Sequence, residues 1–291
     1  MKLVVAGVTG RVGSVVAQRL LERGHSLRVI VRDAARGEAL RARAELAVGR
    51  LDDADFLGGA LAGADGAFLL LPSDYPEREV YGRQKRLAEA MGRAVLASRV
   101  AHVTLLSSVG AQHPSGTGPV QGLFQAENHL RAASVPRTFV RAGSFMDDLA
   151  GVLAAARDSG IYPSFLPPEV RAPWVAARDV GELAAAALED PPRTAVPEHI
   201  YDLAGPRDYT PADIAAALGQ LFGRDVKPVD IPPGAARVAL EQSGLPPHLA
   251  EMLADMYAGA AKGLLNFGQG ERRRGKVELA DALRALAAPL G

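Results

Sequence analysis

The sequence predicts an α/β fold: a doubly wound parallel sheet followed by a smaller, mainly helical C-terminal part. Three observations carry this. Short apolar runs with the length of fully buried strands alternate with helix-period segments through the first half of the chain. A glycine-rich turn, Gly7-Val8-Thr9-Gly10-Arg11-Val12-Gly13, joins the first run to the first helix. From Thr210 onward the pattern is helical, punctuated by prolines at 211, 228, 232, 233, 246 and 247. Right-handed crossovers between the strands then give helices on both faces of the sheet.

In chain order, residues 2–6 form the first buried strand. Val12, Val15, Val16 and Leu20 mark one helix face, which Gly24 ends as a glycine at C′ does. Residues 27–31 are a β-branched strand. A helical stretch rich in Ala, Arg and Glu follows, then a turn at 49–53. Residues 67–71 read as a strand closed by Pro72, 84–97 as helix, 102–106 as strand, 123–133 as helix and 138–141 as strand. The proline- and aromatic-rich stretch 161–173 reads as a loop or lid. Residues 179–189 are an alanine-rich helix and 200–203 a late strand. The charge run 271–274 reads as solvated surface.

The chain of 291 residues suits one large or two small domains, and its 48% hydrophobic content can fill a full core. Its 33 basic and 33 acidic residues cancel, which argues against nucleic acid, whose binders carry a basic excess or face. It has no cysteine, so disulfides, zinc thiolates and thiol catalysis are excluded, and no metal is expected. No apolar stretch reaches the ~18 residues of a membrane helix, and the first residues lack the zones of a signal peptide. A cytoplasmic location without a membrane partner is expected.

The glycine turn sits where a dinucleotide motif must sit. Gly7 allows the tight turn, Gly10 lets the backbone approach a pyrophosphate, and Gly13 lets the helix pack close to the sheet. The N–H groups of Thr9, Arg11 and Val12 and the helix dipole then face the anion. About 20 positions beyond this motif, an NAD binder places an acidic residue on the ribose 2′-OH. Here Arg32 stands just after Val31, with Arg36 close behind. A guanidinium pairs bidentately with a 2′-phosphate, so NADP(H) is preferred, and Arg11 would add a second charge. The other reading leaves Arg32 and Arg36 as exposed surface residues and gives the ribose to Asp33. Ligands in such sheets lie outside the carboxyl ends of the strands. That places Leu71, Pro72 and Ser73, then Ser107, Ser108, Val109 and Gly110, and Arg141 with Gly143 and Phe145 along the cofactor's path.

Seven stretches, VAGVTGRVG, VIVRDAAR, FLLLP, VTLLSSVGA, AENHLRAASVPRTFVRAGSFMDDL, WVAARDVGELAAAAL and IYDLAGPRDYTPADIAAALGQLFGR, resemble in order and spacing the NmrA-like group of atypical short-chain dehydrogenase/reductases. They run from the N-terminus to about residue 230. The resemblance implies a Rossmann-like NAD(P)-binding domain, over 1–155 and 175–205, and a substrate-covering subdomain, over 156–174 and 206–291. The group contains NADPH-dependent quinone, azo-dye and triphenylmethane reductases. It also contains non-catalytic proteins that sense the NADP redox state through a protein partner.

Two departures bear on chemistry. Relatives carry Asp in a G-D-L-type turn near the adenine; here Arg50 precedes Leu51 and Asp52, which remain candidates to line the adenine pocket. The Tyr-x-x-x-Lys pair of typical dehydrogenases, in which lysine lowers the tyrosine pKa, is missing. The corresponding stretch, Gly118 to Gln125, has neither residue type. This rules against a carbonyl reductase or a sugar-nucleotide epimerase more than against a quinone reductase, since a quinone takes its proton from water. Ser107 and Ser108 remain to orient the nicotinamide or a substrate oxygen, or simply to bond their own turn. His113 is a proton donor or an exposed loop residue. Gln121, Gln125, Met146, Tyr162, Phe165 and Trp174 are substrate candidates, each with surface or core packing as its alternative; together the apolar ones suit a flat hydrophobic acceptor. The expected activity is hydride transfer from NADPH to a small conjugated or quinone-like molecule, with the NADP(H) redox sensor as the alternative. Homo-oligomerisation is compatible with either.

Overall fold

The computed structural model describes residues 1–72, 79–191 and 197–288. Strand and helix alternate from the start: β1 (Lys2–Ala6), α1 (Arg11–Glu22), β2 (Ser26–Val31), a 3-10 helix (Ala34–Leu40), β3 (Ala44–Val48), α2 (Ala54–Leu61), β4 (Gly66–Leu70), α3 (Val80–Ser98), β5 (Val103–Ser108), a 3-10 turn (Gly118–Val120), α4 (Gln121–Ala132) and β6 (Arg137–Ala142). There follow β7 (Ser144–Phe145), a 3-10 segment (Met146–Val152), α5 (Leu153–Ser159), β8 (Ile161–Ser164), β9 (Trp174–Val175), α6 (Ala177–Glu189) and β10 (Glu198–Ala204). The C-terminal part holds α7 (Pro211–Phe222), β11 (Lys227–Asp230), α8 (Pro233–Gln242), α9 (Pro247–Ala261), β12 (Glu271–Arg274) and α10 (Leu279–Ala287).

Eight strands form one parallel sheet in the order β12-β10-β6-β5-β4-β1-β2-β3. The chain winds outward from β1 to β3, returns, and winds the other way from β4. The crevice therefore opens at the carboxyl ends of β1 and β4, where such sheets bind ligands. The two-residue period of β1 sends Leu3 and Val5 into one core, under α1 and α6, and Val4 and Ala6 into the other, under α2, α3 and α4. A third core joins Met146, Leu149 and Leu153 to α7 and α10 through Ile214, Leu218, Leu279 and Leu283. Helix α7 starts with a capping box, Thr210 and Asp213 each bonding the other's backbone N–H, and with Pro211 in its first turn.

Three elements differ from the sequence reading. The helical stretch after β2 is a short 3-10 helix followed by β3, an edge strand of half-exposed Ala-Glu-Leu-Ala-Val. The stretch 161–173 is not wholly loop, because Ile161–Ser164 pairs with β11 as a two-stranded ribbon. Pro163 and Pro228 fit there, since a ribbon leaves one edge of each strand without a ladder. The solvated charge run 271–274 is exposed, yet it forms β12 at the edge of the main sheet, where charged side chains discourage further strand pairing. The sheet thus takes residues from beyond 205.

His102, just before β5, is 5% exposed; its ring lies 3.3 Å from the Thr104 hydroxyl, and its Nδ1 has no partner among the described residues. Burial pushes its pKa down to about 4. The unfolded chain, with an ordinary histidine near 6.5, therefore binds the extra proton first as pH falls. Folding stability should drop between neutral pH and about pH 4 by up to ~3 kcal/mol from this residue. Denaturant titrations across that range should show a shallower loss in His102→Gln than in the wild type.

Candidate functional site

The crevice is built on the turn after β1. Gly7 has φ +68°, and Gly10 N donates to Gly7 O at 2.9 Å, closing a tight turn. A Cβ on Gly13 would lie 2.3 Å from Gly7 O, so only glycine lets α1 sit this close to the strand. Thr9 and Gly10 are exposed at the tip, whereas the Val12 side chain is buried in the first core, leaving its backbone to the crevice. No side chain caps α1, and its first turn carries no acidic residue. The positive end of the helix is therefore presented to an anion.

At the end of β2, Arg32 and Arg36 are both exposed. Asp33 is engaged locally: its Oδ1 accepts from Ala35 N at 3.0 Å and caps the 3-10 helix. The uncapped helix end and two guanidinium groups one strand away fit a dinucleotide carrying a 2′-phosphate. Arg11 pairs with Asp148 of the 3-10 segment after β7, at 2.8 Å with both groups more than half exposed. Arg50 forms a fork with Asp52, at 2.8 and 2.6 Å, and holds that carboxyl below its ordinary pKa. Leu51 is half-buried against the second core. Leu71 and Pro72 are half-buried at the end of β4, and Ser73 lies outside the described residues.

The end of β5 is occupied by a buried polar network that the sequence reading missed. The Ser107 hydroxyl donates to Glu127 Oε1 at 2.7 Å. Glu127, with no exposed surface, receives a two-pronged contact from Arg141 at 2.9 and 2.6 Å and a third from Arg131 at 3.0 Å. In register across the sheet run Ser107, Arg141, Asp202 and Arg272, charges alternating in sign on three strands. Asp202 is buried, which pushes its carboxyl pKa up. The one legible signal was an arginine inside the apolar strand of β6, which demands a buried partner. Ser107 is thus committed to Glu127, and Ser108 donates to the carbonyl of Val109 in its own turn at 3.1 Å. His113 sits half-buried in the following loop, its ring 3.3 Å from the Gln112 side chain. Gln112 also bonds Asn266, at 2.9 Å to both its oxygens, which draws the segment after α9 over this strand end.

The substrate candidates separate. Met146 is fully buried and Tyr162 is 5% exposed, both within the third core, so their side chains pack rather than line an open surface. Trp174 is half-buried at the margin of that core. Gly143 is buried against Pro173, and Phe145 packs on the first core. Gln121 donates to Asp255 of α9 at 3.3 Å, and Gln125 is half-buried one turn on. Phe165 stacks on Tyr257 of α9, centroids 4.2 Å apart and planes within 15°. Tyr257 was not singled out from the sequence, because no spacing rule links it to the crevice. Among the described residues no group of three or more His, Asp or Glu is placed to hold a metal ion, and no helix is long and apolar enough to cross a membrane.

The sequence profile of the NmrA-like family matches residues 1–265. An NAD(P)H azoreductase from Xenophilus azovorans is 30% identical over 258 residues, 88% of this chain and 86% of the relative. Quinone oxidoreductase 2 of Escherichia coli K12 is 26% identical over 273 residues, 90% of this chain and 88% of the relative. The crystal structure of an Escherichia coli NADPH-dependent quinone oxidoreductase complexed with NADPH has a TM-score of 0.83 over all of both chains, at 23% identity. It shares the α/β Rossmann-like fold.

Two outcomes are expected. Arg32→Asp should weaken NADPH binding about tenfold or more in calorimetric titration and leave NADH within about threefold; equal loss for both would place Arg32 away from the cofactor. Arg141→Leu leaves the buried Glu127 with weaker compensation and should cost about 3–5 kcal/mol in urea unfolding, much of it recovered in the Glu127→Leu/Arg141→Leu double variant.

Proposed function

The chain belongs to the NmrA-like family, and from that premise we propose that it is an NADPH-dependent oxidoreductase passing a hydride to a small conjugated or quinone-like acceptor. The observation that carries this reading is the complete dinucleotide turn with Arg32 and Arg36 beside it and no acidic side chain in the first turn of α1. When bound, NADP(H) supplies the hydride, and the protein supplies position and electrostatics. The N–H groups at the start of α1 hold the pyrophosphate, and Arg32 with Arg36 holds the 2′-phosphate. Residues 1–155 and 175–205, with β12 added to their sheet, form the cofactor part. Residues 156–174 and the helices after 206 cover the acceptor.

The acceptor class follows from what α4 lacks. Its first turns carry Gln121 and Gln125 and no tyrosine or lysine, so no activated phenol stands there to protonate an alkoxide. Quinones and azo compounds do not need one, because the reduced product carries stabilised charge that water can protonate. The names of the azoreductase and the quinone oxidoreductase among its relatives agree with that class.

Purified protein should bind NADPH more tightly than NADH and oxidise it only when a quinone or azo dye is added, followed as loss of NADPH absorbance. Tight binding with no turnover across the panel would overturn the reductase and favour a redox sensor, whose partner binding would then differ between NADP+ and NADPH.

A further inference from the structure

Two adjacent carboxylates of the 3-10 segment after β7 reach the starts of two helices. Asp147 Oδ2 accepts from Ala177 N, the first residue of α6, at 2.8 Å. Asp148 Oδ1 accepts from the guanidinium of Arg11, the first residue of α1, at 2.8 Å. The two helices lie side by side near that end, since a Cβ on Gly181 of α6 would come within 3.1 Å of Val12 O. The backbone that carries Asp148 is fixed on both sides: Asp147 by its bond to α6, and Leu149, 3% exposed, by the third core. The pair itself is open to water, with 57% of the Arg11 side chain and 61% of the Asp148 side chain exposed. The cation of the pair belongs to the glycine turn, and the anion to the segment that leads into the covering part.

We propose that Arg11 changes partner when the dinucleotide binds, leaving Asp148 for the pyrophosphate, so that Asp148 acts through Arg11 to lower cofactor affinity. The proposal rests on the cofactor reading of the glycine turn given above. The start of α1 has no capping side chain and no acidic residue in its first turn, so its N–H groups and dipole are open to an anion. Asp148 offers Arg11 a single negative charge from outside the turn. A pyrophosphate carries more charge, which a guanidinium grips with two parallel bonds, and the helix end adds its own hold. An ion pair this open to water is worth little, so giving it up costs little. Only the Arg11 side chain has to turn, by rotation about its own bonds, while α1 and the anchored segment stay in place. The bond to Asp148 is given up each time the dinucleotide binds and regained each time it leaves. Asp148 thus lowers the affinity of the turn without touching the ligand. A reductase must release NADP+ after each hydride transfer, and such release often limits turnover. Asp148 is therefore a positioning residue that keeps the cofactor exchangeable.

Both side chains are more than half exposed, so the fold tolerates their replacement. Calorimetric titration with NADPH and with NADH at low salt tests the exchange. Asp148→Asn removes the competing carboxylate and should tighten both cofactors about three- to fivefold, near the upper end of what an exposed ion pair is worth. Asp148→Glu keeps a carboxylate and should differ from the wild type by less than about twofold. Arg11→Gln should weaken both cofactors about tenfold, as expected for losing a charged contact to phosphate. Adding Asp148→Asn to Arg11→Gln should then change nothing, because no arginine remains to be released. Binding by Asp148→Asn no tighter than wild type overturns the exchange. So does a gain for NADPH alone, which would put Arg11 on the 2′-phosphate, and so does an equal gain in the Arg11→Gln background, which would make it a general effect of charge. A wild-type protein that binds neither cofactor overturns the reading of the glycine turn beneath the proposal.

Discussion

A carboxylate with no contact to water must have its charge answered inside the protein, and Glu127 is answered by Arg141. Much of the crevice wall follows from that pair. It fastens α4 to β6, and through the Ser107 hydroxyl it fastens α4 to β5 as well. Arg131 carries the network on to Glu198 of β10, which also receives Arg137 at 3.0 Å. Four elements are thereby joined by polar contacts that run along β6 from Arg141 near its carboxyl end to Arg137 at its start. The rigidity is local: the second core takes over below it, with Leu105, Leu130 and Phe139.

The network also decides what the strand end cannot do. A serine at the end of β5 is available for chemistry only when its hydroxyl is not already given to a stronger acceptor. Ser107 donates to a buried carboxylate at 2.7 Å, and a charge-assisted bond of that kind is not readily exchanged for a neutral substrate oxygen. Both serines at this strand end are thus engaged within the protein, Ser107 with Glu127 and Ser108 with its own turn. The cofactor side keeps its own logic: the glycine turn presents backbone and helix dipole, and two exposed arginines follow β2. An ion pair between Arg11 and Asp148 joins the turn to the segment after β7, and its solvent exposure makes it a weak tether.

The parts of the fold that were legible in the sequence are those that physics writes locally. Strands buried on both faces must be apolar throughout, so β1, β2, β4 and β5 were readable. The glycine turn was readable because the close approach of α1 excludes any Cβ at Gly13. Elements at the margins were not. β3 and β12 sit at sheet edges where exposed and charged residues are tolerated, and β8 belongs to a ribbon containing two prolines. At the candidate site, Arg32 and Arg36 are exposed after β2 as their place in the sequence suggests, whereas the burial of Glu127 is not legible there. A buried carboxylate on a helix looks like any solvated one until its partner is placed, and the stack of Tyr257 on Phe165 exists only through the packing of α9. Met146, buried in the third core, shows the opposite limit: an apolar residue near a crevice has the same sequence signature whether it lines the wall or fills the core.

The missing tyrosine and lysine are therefore better understood as a constraint on the acceptor than as a loss of function. An alcohol-forming reduction leaves a localised alkoxide and needs a phenol ready to surrender its proton, which in turn needs a nearby cation to lower its pKa. Among the described residues, every tyrosine with a shifted pKa is shifted upward, by burial first. None of them is lowered in the way that an alcohol-forming reduction requires. A protein furnished this way can stabilise charge that the acceptor itself spreads over a conjugated system, and it cannot efficiently quench charge confined to one oxygen. The chemistry open to the crevice is set as much by the absence of tyrosine and lysine from α4 as by the cofactor turn beneath it.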